Sequence, residues 1–239
     1  YEFGINPYSA YEPVTDRLGE IARAAVAGGI TPKLALASID HTVATVARVS
    51  GTMRGLQVLV RDNPPKKLRE INQEKLRAMG VSEALTNAFL DNYSFDPYEQ
   101  TLLVGELETL NVAGRDVFLS RASLATEKSI ALYYRSLAQM MGNFHRNVEP
   151  LKAVFDTAGI LNVERRDGGR VILAPIDYVF WTEKVATRIG ELEQALAAKG
   201  FSGEKEVWVT GKFDKVALEE LNRSGWKVKQ RVDPLFEKP

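Results

Sequence analysis

His41 and His145 are the only two histidines in the 239-residue chain, and each has a carboxylate nearby in sequence: Asp40 before His41, Glu149 four residues after His145. An imidazole beside a carboxylate is the least that general acid–base work requires, and with a third donor it can hold a metal ion. Neither pair has a spacing that enforces either role. Adjacent residues such as Asp40 and His41 point to different faces of a helix, and Pro150 places the His145/Glu149 pair at a helix end. There is no HExxH run. A hydrolase-like site would have to assemble in space from His145, Asp40, His41 and Asp177. Asp177 joins this set because it follows an apolar strand and precedes Tyr178, Phe180 and Trp181. Its other natural role is to cap the helix after it, with those aromatics packing helix onto sheet.

Thr210-Gly211-Lys212 lies between a strand-like and a helix-like segment, a place where backbone amides and a lysine can hold an anion or small ligand. The same three residues also make an ordinary strand–helix turn. G-x-S-x-G, GxGxxG and the P-loop pattern are absent, as is an S-x-x-K set in a recognisable context. The chain has no cysteine, which excludes disulfides, thiolate metal sites and a cysteine nucleophile. No metal and no cofactor is expected. The pairs Glu106/Glu108 and Glu219/Glu220 read as solvated helix faces. Lys66, Lys67 and Arg69 form one basic spot, and Lys227, Lys229 and Arg231 alternate along a strand, a pattern that guards a sheet edge by charge. N-x-S sequons occur at Asn92 and Asn222.

The elements that must position these residues follow from periodicity. Residues 1–13 read as an aromatic arm, with helices at 16–26 and from Leu34 onward. Residues 50–62 fit either a helix or a strand. Leu68, Ile71, Leu76 and Met79 mark a helix closed by Gly80. Ser82 opens a short helix, and Asp96-Pro97-Tyr98-Glu99 opens another with a capping acid and Pro at its first position. Further helices are expected over 115–121 and, the longest, 123–147, with Leu151 to Phe155 continuing as a short helix up to Gly159. Strands follow at 160–164 and 170–176, joined through the Asp167-Gly168 turn signal. The stripe Trp181, Val185, Ile189, Leu192 and Leu196 is a helix; 206–210, 214–223 and 226–232 then read as strand, helix, strand. The expected fold is therefore α+β: a mostly helical region, 1–158, then a small α/β unit, 159–239, of about four strands and two helices, with a soft boundary compatible with one shared core.

Charge narrows the partners. The 31 basic and 31 acidic residues cancel to +0, without the basic excess of a nucleic-acid binder. No stretch has transmembrane length. The first residue is Tyr1 rather than Met, and with the absence of cysteine this favours an exported, periplasmic or extracellular setting. The expected function is that of a non-catalytic structural or interaction protein with a protein partner, docking through the C-terminal sheet or its basic edge; self-association into a homo-oligomer is compatible with it. The alternatives are the hydrolase-like site and the anion or small-ligand binder at Thr210-Gly211-Lys212.

Overall fold

The structure, a computed structural model, describes residues 53–233. The chain divides into two compact units, residues 1–64 and 65–239. Of the first unit, the described element is helix α1, Met53–Asp62, so within the stretch 50–62, for which the sequence fits either helix or strand, the described residues are helical. Leu56 and Leu59 are buried, and the Asn63 amide donates to Leu59 O at 2.8 Å to close its end. The expected arm at 1–13 and the helices at 16–26 and after Leu34 lie outside the described residues.

The second unit begins with five helices: α2, Pro65–Ala78; α3, Glu83–Leu90; α4, Pro97–Leu110; α5, Arg115–Ala122; and α6, Lys128–Asn147. Local chemistry sets their ends. Gly80, at φ 81°, closes α2, with Val81 N bonded to Leu76 O and Gly80 N to Arg77 O. Ser82 caps α3 through Leu85 N. Asp96 and Glu99 form a reciprocal capping box on α4, with Pro97 at its start.

Helix α4 is buried on nearly every side because α2 and α6 both pack on it. The expectation that Glu106 lies on a solvated face is corrected here: it is 2% exposed and pairs with Arg146 of α6, Nη1 to Oε2, at 2.9 Å. Burial pushes the Glu106 carboxyl above its ordinary value, against the opposing pull of Arg146. Gly142 leaves the room for this pair, since a Cβ there would stand 2.0 Å from Glu106 Oε2.

The sheet holds β1, Leu151–Thr157; β2, Ile160–Arg165; β3, Arg170–Ala174; β5, Lys205–Val209; and β7, Trp226–Lys229, in the order β1-β2-β3-β5-β7. The first three are antiparallel neighbours; β3, β5 and β7 run parallel. Helix α7, Glu183–Ala198, connects β3 to β5, and α8, Lys215–Arg223, connects β5 to β7. A separate pair, β4 (Tyr178–Val179) and β6 (Lys212–Phe213), is parallel and lies beyond the carboxyl ends of β3 and β5. The α+β class is as expected, with one more strand in the main sheet than expected. Leu151 to Phe155 is strand β1, not a helical continuation. Its outer edge is held by Ala113, whose N–H donates to Lys152 O and whose carbonyl accepts from Val154 N. The last strand is also shorter than expected: it ends at Lys229, because Arg231 takes a left-handed φ of 54°.

Alternation assigns the two sheet faces. Val163, Val171, Leu173 and Trp208 join Leu103, Leu107, Phe118, Met141 and Phe144 in one apolar cluster, so residues on both sides of position 159 share a core. Phe144 and Trp208 meet edge to face at 5.1 Å. Ile172, Ala174, Val207 and Val209 form a second cluster with Leu192 and Leu196 of α7 and Ala217 and Leu221 of α8.

Candidate functional site

The two ends of the sheet differ in chemistry. At the amino ends of the parallel strands, Arg165 is nearly buried and reaches four carboxylates. Its Nη1 meets Glu206 Oε1 at 2.9 Å, its Nη2 meets Asp167 at 2.7 Å and Glu204 at 3.2 Å, and its Nε lies 3.5 Å from Glu149 Oε2. Trp208 Nε1 donates to the other Glu206 oxygen at 2.6 Å, and Lys227 pairs with Glu204. Every carboxylate of this hub thus has a donor, which describes an internal tie rather than a site awaiting a ligand.

His145 lies at this same end. Its Nδ1 accepts from Leu151 N at 3.0 Å, so the imidazole closes the turn between α6 and β1. Burial, together with the positive charges of Arg146 and Arg166, holds His145 below the ordinary histidine value. The bond needs an unprotonated Nδ1, which fixes the sign of the linkage. A folded value below the unfolded value of about 6.5 leaves stability flat above that pH and lowers it as the pH falls from there through the folded value. His145→Gln should flatten that part of the profile. Urea midpoints measured between pH 8 and pH 5 check it, and an unchanged slope in the variant would remove His145 as its source.

Asp177 is at the opposite end of the sheet, after the last residue of β3. His145 stands where β1 and β3 begin, and the five residues of β3, at about 3.3 Å each, hold the two ends roughly 16 Å apart. The structure therefore does not bring His145 and Asp177 together; Asp40 and His41 lie outside the described residues. Nor does Asp177 cap the next helix. Thr182 does so, accepting from Val185 N, because Tyr178 and Val179 first form β4.

The Thr210-Gly211-Lys212 turn lies directly against Asp177. Its three amides are all bound within the chain: Thr210 N to Ala174 O at 3.3 Å, Gly211 N to Ile176 O at 2.9 Å, and Lys212 N to Asp177 O at 3.0 Å. The Thr210 hydroxyl donates to Ile176 O at 3.2 Å. Asp214 caps α8 with its own carboxylate, accepting from Ala217 N at 2.7 Å. An anion at this turn would meet one lysine ammonium and no free amide.

Among its exposed residues, this end of the sheet presents a group of apolar side chains outward. Val179 and Phe213 face inward to the second cluster, so Tyr178 and Phe180, one residue either side of Val179, face out. They are 45% and 60% exposed, with ring centroids 4.6 Å apart. Lys212 is the register partner of Tyr178 and is exposed beside it. Ile176, before β4, and Val216, in the first turn of α8, are exposed as well. The expectation that these aromatics pack helix on sheet holds for Trp181 alone, which lies against the second cluster. The sequence signal for the outward pair was the alternation Tyr178-Val179-Phe180.

A cleft between α2 and α3, lined by Gln73, Arg77, Val81, Glu83 and Thr86, holds about 110 Å³, against the roughly 300–1,000 Å³ of ordinary ligand pockets. Among the described residues, no three His, Asp or Glu side chains are grouped to hold a metal ion. No helix of theirs is long and apolar enough to cross a membrane. The sequon asparagine Asn92 is committed internally: its amide donates to Ser123 O and Ala125 O at 2.9 Å each and its carbonyl accepts from Ser94 N at 2.8 Å. Compared with protein-family models, curated proteins and solved structures, the chain matches none of them.

Proposed function

We propose that the chain is a non-catalytic interaction module that docks a protein partner through the outward face of β4–β6. The observation that carries this reading is the exposed ring pair Tyr178 and Phe180, 4.6 Å apart and tilted, with Ile176, Val216 and Lys212 exposed at the same end of the sheet. Aromatic side chains supply large contact area at low entropic cost and are enriched where proteins meet. The sequence candidates for catalysis among the described residues stand at opposite ends of the sheet, and the amides of the Thr210–Lys212 turn are spent. That leaves the docking reading ahead of the hydrolase and anion-binding alternatives.

The test separates binding from folding. Tyr178→Ser with Phe180→Ser should change the urea-unfolding free energy by no more than about 1 kcal/mol, the scale of one exposed aromatic pair. The same double variant should lose the partner that copurifies with the parent chain from its native cells. Retention of that partner at parental yield would remove this face from the function.

A further inference from the structure

The turn from α2 into α3 sets two helix ends over an apolar floor. Leu76 of α2 and Phe89 of α3 are fully buried in the first cluster, and Val81, in the turn between them, is buried with them. Gly80, at φ 81°, lets the chain make this turn. Gln73 and Arg77, one helical turn apart on α2, thereby line one cleft with Glu83 and Thr86, which stand three apart on α3.

None of these four polar side chains is spent. Among the described residues, Arg77 and Glu83 pair neither with each other nor with another charge, and neither the Gln73 side-chain amide nor the Thr86 hydroxyl has a hydrogen bond. Thr86 carries the most weight, because it is 3% exposed. Burying a hydroxyl without a partner costs free energy, which a polar group seated in the cleft would recover. Arg77 in the last turn of α2 and Glu83 in the first turn of α3 each suit their helix dipoles, but that role leaves the Thr86 hydroxyl unexplained. The contrast is with the Arg165 hub and the Thr210–Lys212 turn, whose polar groups are bonded within the chain.

Charge and size define the ligand. Glu83 repels an anion and Arg77 repels a cation, whereas a molecule bearing both charges satisfies each of them. The cleft's 110 Å³ matches roughly four waters at about 30 Å³ each, so that molecule is small. Independently of the docking reading, we infer that this cleft binds a small zwitterion of the amino-acid class, of glycine to serine size. Its carboxylate accepts from the Arg77 guanidinium and its ammonium donates to the Glu83 carboxylate. The Thr86 hydroxyl and the Gln73 amide complete the polar contacts, and the carbon skeleton rests on Val81.

The experiment titrates the whole isotope-labelled chain with glycine, L-alanine, L-serine and β-alanine and follows the amide resonances of Val81 and Thr86. At least one of these probes should give saturable shifts at millimolar concentration. Acetylglycine, which lacks the ammonium, and glycinamide, which lacks the carboxylate, should bind about tenfold more weakly or worse. Arg77→Gln and Glu83→Gln should each weaken the bound zwitterion by about tenfold or more, and Thr86→Val by about threefold. Arg77 and Glu83 are exposed, so both amide variants should keep the parental urea midpoint, which separates lost binding from lost folding. No saturable shift with any of the probes, equal binding of acetylglycine or glycinamide, or parental affinity in either amide variant would overturn the inference.

Discussion

Arg165→Met should destabilise the chain by about 3 kcal/mol, the scale of breaking a buried ion pair by removing one partner. The reason lies in what remains. Glu206 is buried, and losing the guanidinium leaves its carboxylate with Trp208 Nε1 as its hydrogen-bond donor at 2.6 Å. Glu149, Asp167 and Glu204, which now converge on the same cation, would repel one another across the gap. Arg165 also ties the end of β2 to the start of β5, since Glu206 belongs to β5. Adding Glu206→Gln should restore at least half of the lost stability, because the uncompensated charge goes with it. Urea unfolding of the parent, the two single variants and the double variant measures this directly. Equal loss in Arg165→Met and in the double variant would mean that Arg165 acts by packing and not by charge.

The second large effect is expected at Gly211. A Cβ built there would stand 1.7 Å from Asp177 O and 2.2 Å from its carbonyl carbon. These are backbone atoms, so no side chain can swing aside; β4 itself would have to move off β6. The expected cost of Gly211→Ala is about 3 kcal/mol, at the upper end of what overpacking produces. The change should also abolish docking while Tyr178 and Phe180 remain in the sequence, since the face exists only while Lys212 N and Asp214 N hold Asp177 O and Val179 O. Thr210→Ala next to it removes one exposed hydroxyl contact to Ile176 O and should cost far less. Chemical denaturation of both variants, with hydrogen exchange at Lys212 and Asp214, checks the pair of expectations. A Gly211→Ala chain as stable as its parent would show that the β4–β6 contact is not close.

Gly211 also shows how much of the site could be read in the sequence. The strand–turn–helix around it is legible in the sequence, where the turn reads as an anion or small-ligand site. Its role is not, because nothing local reports that Asp177, 34 residues earlier, lies against it. The capped helices were legible because their signals are contiguous: the Asp96–Glu99 box and Gly80 act within a few residues of themselves. The strand at Leu151 was misread for a physical reason. Its register shifts between Leu151 and Ala153, so the period-2 alternation that marks a strand is broken at the point where a reader needs it. Glu106 misled in the same way. A Glu two residues from another Glu reads as solvated, and only the packing of other helices on α4, α6 with Arg146 among them, buries it. At the β4–β6 face, one residue separates a packing aromatic from an exposed one: Trp181 turns inward just after Phe180 faces out. The Arg165 hub was illegible outright, because its carboxylates come from the α6–β1 junction, the β2–β3 turn and the start of β5.

The most direct test of the β4–β6 face as a docking surface is photo-crosslinking in the cells that make the protein. A photoreactive phenylalanine would replace Phe180 in one strain and Tyr93 in another; Tyr93 is 85% exposed and belongs to the loop between α3 and α4. The expected result is one discrete crosslinked protein from position 180, absent from position 93 and lost when Gly211→Ala is added. No crosslink at position 180, or the same products from both positions, would contradict the assignment of function to this face.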